Sequence, residues 1–333
     1  MDFWAVPEMW DRLLDWFQVS DREEVLKKLH IDMRLVAPGY TGPRMETFAD
    51  GSFMEPMGTH RRLAHNAYST YSELASAPMG SFTSPEQVYA YPYAQPDWWD
   101  FAGLAGRIGR LHDEYYIKIE TGGMYENAWA LRGYEQLLLD MYDAPMIVHA
   151  IMDYLCTFYC EFVKRAMECA GGLIDMVYTY DDIAAQNALI LSRDMIEEFI
   201  LPYHRRLNGL IKSYGKSIMF HSCGAIFPMI GDLVELPIDV LNPLQPRAQG
   251  MDFERIKTLY GDRISFHGGI CIQKTLPYGT QEDVRRAVRH AIDTLGKDGG
   301  YILTSAHYIQ ADTPVDNVIA MFDEGWRYRA TTV

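Results

Sequence analysis

Cysteine, positive charge and long apolar runs are all scarce in this chain. Five cysteines among 333 residues are too few for a disulfide framework. Cys156, Cys160 and Cys169 fall in an apolar, helix-like stretch where buried free thiols are ordinary. Thirty Lys and Arg stand against 45 Asp and Glu, a formal net charge of -15, which excludes nucleic acid or an anionic membrane as the main partner. No apolar run approaches the ~20 residues that a spanning helix needs. The N-terminus, Met1-Asp2-Phe3-Trp4, lacks the cationic start and apolar core of a signal peptide. The expectation is a cytoplasmic, reduced protein. No G-x-G-x-x-G follows a strand and no P-loop is present, which counts against nucleotide binding. Internal repeats and low-complexity linkers are absent.

What is present is the composition of a folded protein, 48% hydrophobic and 23% charged. The length suits one large barrel or two ordinary domains. Residues 1 to about 100 carry little rhythm. Asp21 to Leu29 reads as a helix, and a Gly-, Pro- and aromatic-rich stretch follows, ending in Tyr89-Ala90-Tyr91-Pro92-Tyr93 and Trp98-Trp99. From about residue 115, short β-like runs alternate with helix-like segments, the pattern of βα units around a parallel sheet. The strand candidates are Tyr115–Ile119, Ile174–Tyr180, Ser217–Phe220, Ile238–Leu241, Ile264–Phe266 and Tyr301–Leu303. Met195 to Tyr214 reads as a helix bent by Pro202. Thr280 and Asp283 form a capping box ahead of an apolar stripe, with Gly296 at the C′ position. Thr313-Pro314 opens a last helix. The expected architecture is α/β: a (β/α)8 TIM barrel in a single domain, 1–333, with residues 1–110 as a helical and irregular N-terminal extension and 111–333 as most of the barrel. A doubly wound open sheet is the alternative.

Polar residues directly follow the apolar runs, where a barrel would gather them at its C-terminal face. His221-Ser222-Cys223 is the most specific group. Side chains two apart on a strand point the same way, so an imidazole and a thiol there share one ion, and that pair suits zinc better than magnesium or calcium. His307 is the candidate third ligand and Cys271 its rival. Of Asp181 and Asp182 only one faces the pocket, because neighbours on a strand point apart; Asp182 is the candidate acid–base group, with Tyr180 beside it. Asn242, Gln245 and His267 are candidates to orient a substrate, Arg34 to hold an anion, and Glu126 to line the same region.

Several of these segments resemble the uroporphyrinogen decarboxylase superfamily: Tyr180-Asp181-Asp182-Ile183-Ala184-Ala185-Gln186, Leu191-Ser192-Arg193-Asp194-Met195, Phe199-Ile200-Leu201-Pro202-Tyr203, Phe220-His221-Ser222-Cys223-Gly224 and Gly299-Gly300-Tyr301-Ile302-Leu303. The likeness spans about residues 110 to 325 and implies a (β/α)8 barrel with an N-terminal extension. Decarboxylases of that superfamily carry an R-Q-A-G-R motif; the nearest segment here, Asp32-Met33-Arg34-Leu35-Val36, lacks the second arginine. The other branch, zinc methyltransferases that work with corrinoid proteins, carries H-x-C and a distant cysteine. His221 and Cys223 match it, and His307 stands where the second cysteine would. The resemblance implies a zinc-dependent methyltransferase moving a methyl group between a small substrate (an aryl methyl ether, or a thiol) and a corrinoid carried on a partner protein, since no D-x-H-x-x-G cobalamin signature is present. The alternatives are a metal-free lyase acting on an anionic substrate, and a non-catalytic tetrapyrrole- or corrinoid-binding protein. A homodimer is compatible with all three.

Overall fold

A computed structural model describes residues 1–66 and 70–329. Its centre is a curled sheet of seven parallel strands: β1 (Met33–Leu35), β2 (Tyr116–Glu120), β3 (Met176–Tyr180), β4 (Ser217–His221), β5 (Val240–Leu244), β6 (Ser265–Ile270) and β7 (Tyr301–Ser305). They pair in that order, each with its sequence neighbour. The six strands expected from the apolar runs are all present, with ends shifted by a few residues. β1 was not foreseen, because three residues are too short to show a period.

Alternation along each strand decides what faces inward. On β3, Met176 and Tyr178 join Met33, Met219 and Val240 in a small inner cluster, while Val177 belongs to the large outer core between sheet and helices. On β4, Ile218 and Phe220 pack outward and Met219 and His221 face in. The register sets Tyr180 opposite His221, and His221 opposite Asn242, so these three lie at one level of the sheet.

The boundary expected at residue 110 does not follow the sheet. β1 precedes it, and the N-terminal stretch lies between β7 and β1 with backbone bonds to both sides. Asp2 N–H donates to Leu303 O (3.1 Å), Ile309 N–H to Trp4 O (2.9 Å) and Asp32 N–H to Met1 O (3.0 Å). This stretch thus carries Asp2 and Trp4 into the interior. The described residues between 36 and 110 form the irregular remainder, including a two-stranded and a three-stranded sheet; the last four residues of the expected barrel segment lie outside the described residues.

Three local expectations are corrected. The helix containing Pro202 is two helices, Arg193–Phe199 and Leu201–Ser213, because proline at the second helical position starts a helix more readily than it continues one. Gly296 caps its helix at φ -82; the left-handed residues come later, at Asp298, Gly299 and Gly300. The segment Pro145–Leu173 is long and apolar enough to cross a bilayer, but 56% of its apolar window is buried inside the fold, and Ile147, Ile151, Leu155 and Val163 are part of the main core. It is the central helix of that core.

Candidate metal centre

His221 ends β4 and Cys223 follows two residues on, so both side chains rise on the same side of the strand end. The turn between them and the next element needs Gly224: at φ +89, a Cβ there would sit 2.5 Å from Ala185 O. His307 arrives from beyond β7. One ligand atom each from His221, Cys223 and His307 lies within 4.8 Å of the other two. Ligand atoms around a tetrahedral zinc stand roughly 3–4 Å apart, given bond lengths of about 2.0–2.3 Å, so a small contraction would enclose an ion. His221 is buried while Cys223 and His307 are half-buried, which leaves the group reachable from one side. Among the described residues, this is the group of three that converges in this way. Cys271 is not in it; it is buried and lines a separate cleft with Arg247 and Lys274.

Asp182 sits against the cluster. Its Oδ1 accepts the Cys223 N–H at 2.7 Å and lies 3.4 Å from His221 Nε2. Cys223 Sγ is also 3.4 Å from that nitrogen. Burial works against charge on His221, but the hydrogen bonds and charges of Asp182 and Cys223 outweigh it and raise the imidazole to about 10. Burial pushes the Cys223 thiol up. It would push Asp182 up as well, yet His221 and the Cys223 amide hold that carboxyl below its usual range. Burial, together with the neighbouring His221 charge, lowers His307 to about 4. At neutral pH the cluster therefore holds a carboxylate, an imidazolium, a thiol and a neutral imidazole.

The other predicted residues take varied places. Asn242 is buried beneath His221, whose Nδ1 donates to its Oδ1 at 2.5 Å. His267 lies one step deeper, hydrogen-bonded to Asn242 Nδ2. Gln245 accepts the Gly224 N–H at 3.0 Å and so braces the turn after Cys223. Glu126 accepts the Asp182 N–H at 3.1 Å; burial and the charges of Asp181 and Asp182 raise its carboxyl to about 7. Tyr180 stacks on Tyr178, 5.8 Å between centroids. Arg34 borders a cavity shared with Trp4, Tyr178 and Tyr308 and is matched already. Its Nε and Nη2 donate to Glu23, and Nη1 to the carbonyls of Ile31 and Met33. Asp181 points away from the cluster, as the alternation requires.

Two neighbours were not foreseen. The Trp4 indole lies nearly parallel to the His221 ring, 6.0 Å between centroids, and Asp2 accepts from Trp4 Nε1 at 2.8 Å. No periodicity marks either residue, because an edge segment of six residues makes too few contacts of one kind. Two cavities flank Glu120 at the end of β2. One, of about 400 Å³, is bordered by Trp4, Tyr178 and Tyr308, which pack around the cluster. The other, of about 370 Å³, is lined by Met57, Trp99, Phe158, Tyr159, Phe162 and Tyr180.

No curated protein matches the chain in sequence. Among solved structures, a methyltransferase from Methanosarcina mazei superposes over 96% of this chain and 90% of its own, with a TM-score of 0.63 and 14% identity; at that identity the likeness is one of fold. A structure described as IOLI protein with a binding zinc atom matches 67% of this chain and 89% of its own, at 15% identity and a TM-score of 0.33, too loosely to carry an argument. The sequence model of the uroporphyrinogen decarboxylase family matches residues 120–328, more than half of the chain and every strand from the end of β2 onward, so this protein belongs to the uroporphyrinogen decarboxylase (URO-D) family.

Proposed function

We propose that this protein is a zinc-dependent methyltransferase that moves a methyl group between a small substrate and a corrinoid carried on a partner protein. The observation that supports it most is the convergence of His221, Cys223 and His307 within 4.8 Å. One sulfur and two imidazoles form a donor set suited to zinc, and three protein ligands leave a position for substrate. The N-terminal stretch between β7 and β1 would supply the eighth wall of a (β/α)8 barrel, with this cluster at its C-terminal mouth, where barrel enzymes work.

Zinc held there supplies Lewis acidity, which favours negative charge on an oxygen or sulfur as its bond to a methyl carbon breaks or forms. The residues around it do the rest. His221 Nε2 and the Cys223 thiol give up their protons to become ligands. Asp182, fixed by the Cys223 amide, sits close enough to take one of those protons or to return one to the departing heteroatom. The aromatic cavity bordered by Trp99, Phe158, Phe162 and Tyr180 suits an aryl group, which favours an aryl methyl ether over a small thiol. A neutral His307 in place of a second thiolate leaves more positive charge at the ion, makes it more electrophilic and points the same way. The metal-free lyase acting on an anion is less well supported, because Arg34 is matched by Glu23.

The test is methyl transfer from a panel of aryl methyl ethers to a reduced corrinoid, and from methylcobalamin to a panel of thiols in the reverse assay. The expected result is about one zinc per chain and transfer that stops on chelation and returns with zinc. Transfer that ignores chelators, or decarboxylation of a carboxylate substrate without metal, would overturn the reading.

A further inference from the structure

Behind His221 an unbroken line of buried polar groups runs down through the interior to the N-terminal stretch. His221 Nδ1 is 2.5 Å from Asn242 Oδ1; Asn242 Nδ2 meets His267 Nδ1; His267 Nε2 is 2.9 Å from Asp2 Oδ2; and that same oxygen receives Lys118 Nζ and the Trp4 indole N–H. Asp2, Lys118, Asn242, His267 and His221 are each at most 5% exposed, with Asp2 and Lys118 bordering the cavity of about 400 Å³. The line joins the N-terminal stretch and strands β2, β4, β5 and β6, which share no local sequence.

The donors and acceptors along this line have one consistent assignment. A carboxylate only accepts, so His267 must carry its proton on Nε2 toward Asp2. Lys118 already balances the Asp2 charge, and burial lowers the His267 imidazole to about 4, so its Nδ1 is bare. A bare Nδ1 accepts, which turns the Asn242 amide so that Nδ2 faces His267 and Oδ1 faces His221. An amide oxygen accepts from His221 Nδ1–H and holds that proton in place, so the proton an incoming ion displaces is the one on Nε2, the nitrogen that points at Cys223. We propose that Asp2 is a positioning residue for the metal centre: through His267 and Asn242 it fixes which nitrogen of His221 can bind the ion. This rests on the zinc reading above for its consequence, but its proton assignment stands independently of any metal.

Removing the acceptor should reverse the line. In D2L, the Lys118 ammonium would donate to His267 Nε2 instead. His267 would then carry its proton on Nδ1, Asn242 would turn over, and its NH₂ would face His221 Nδ1. That places the His221 proton on Nε2, where the ion should bind. Adding N242D to D2L should undo this. A carboxylate has no donor to turn, accepts from both imidazoles, and restores the buried negative charge that D2L removes.

Two measurements test the proposal. In the metal-free wild-type protein, where His221 keeps both ring protons, ¹⁵N NMR should find His267 protonated on Nε2 and bare on Nδ1; a proton on His267 Nδ1 overturns it, whatever the variants do. Zinc affinity, measured by competition with a chelator, should fall by about 10- to 100-fold in D2L, the range for losing an outer partner of a ligand, and should largely recover in D2L/N242D. Affinity unchanged in D2L, or no recovery in a D2L/N242D protein with wild-type circular dichroism, overturns it. Should the wild type show the expected protons but bind no zinc, the functional reading fails and the proton assignment stands.

Discussion

Two histidine–aspartate pairs stand back to back across the ends of β3 and β4, and they differ in what their hydrogen bonds leave over. On the outer side, Asp181 accepts the amide N–H groups of Met124, Tyr125 and Glu126 at 2.9–3.1 Å and His204 Nε2 at 2.6 Å. Its carboxylate thus caps the start of the helix Met124–Arg132, favoured there by the helix dipole, and both side chains are sealed from solvent. Gly123 permits the approach, since a Cβ on it would lie 2.6 Å from Asp181 Oδ1. On the inner side, Asp182 takes one backbone N–H and otherwise faces His221 Nε2 and the half-exposed Cys223 and His307. The same pair of residue types makes a staple where the carboxylate accepts four hydrogen bonds, and a reactive site where it accepts one backbone N–H. How heavily the carboxylate is bonded, more than residue identity, separates the two roles.

The sharpest way to break that contrast is to cut each pair in turn. D181A should destabilise the fold by about 3–5 kcal/mol, because three backbone N–H groups and His204 Nε2 lose their buried acceptor, while retaining zinc. H221A should do the reverse, losing zinc with little change in the denaturant midpoint. Chemical unfolding and metal analysis on the same preparations read both. If D181A sheds zinc while keeping wild-type stability, or H221A unfolds the chain, the division between staple and site is wrong.

That only one of Asp181 and Asp182 faces the pocket was legible in the sequence, because adjacent residues on a strand must part; which of the two it is was not. The six later strands and the His221–Cys223 pair were legible too, each set by spacing within one segment. The line behind the site was not. Asn242 and His267 stood out as polar residues after apolar runs, but their roles depend on Asp2, more than two hundred residues away, and on Lys118, which reads as an ordinary surface lysine within its strand. Asn242, Gln245 and Glu126 were candidates to touch a substrate; the structure has each of them bonding a residue or turn of the site. Spacing shows which way a side chain points and leaves open whether its hydrogen bonds are already used.

Metal binding at the inner pair should also respond to pH. His221 is raised to about 10 and the Cys223 thiol is pushed above its ordinary value of 9.0, so both carry at neutral pH a proton that a metal must displace. Zinc affinity should therefore rise from pH 6 to 9, by about tenfold per pH unit for each proton released. His307, lowered to about 4, adds nothing to that slope. Chelator competition across this range reads the proton count; an affinity independent of pH would mean that the ligands are already deprotonated, and that Asp182 does not hold the proton on His221.

The smallest effect is expected where the two pairs meet. Glu126 gives its backbone N–H to Asp181 and accepts the Asp182 N–H on its carboxylate, so it belongs to both. Burial first, then the two aspartates, raise its carboxyl from 4.5 to about 7. A carboxyl raised on folding favours the folded state in its neutral form. Its contribution is complete below about pH 4.5 and is lost as pH climbs through 7. E126Q keeps the shape and an acceptor for the Asp182 amide but cannot ionise. The variant should match the wild type near pH 4.5 and exceed its stability by about 1–2 kcal/mol at pH 8, after allowing for partial solvent screening. Parallel stability curves for the two proteins would place the Glu126 charge in solvent and leave the inner and outer pairs electrostatically independent.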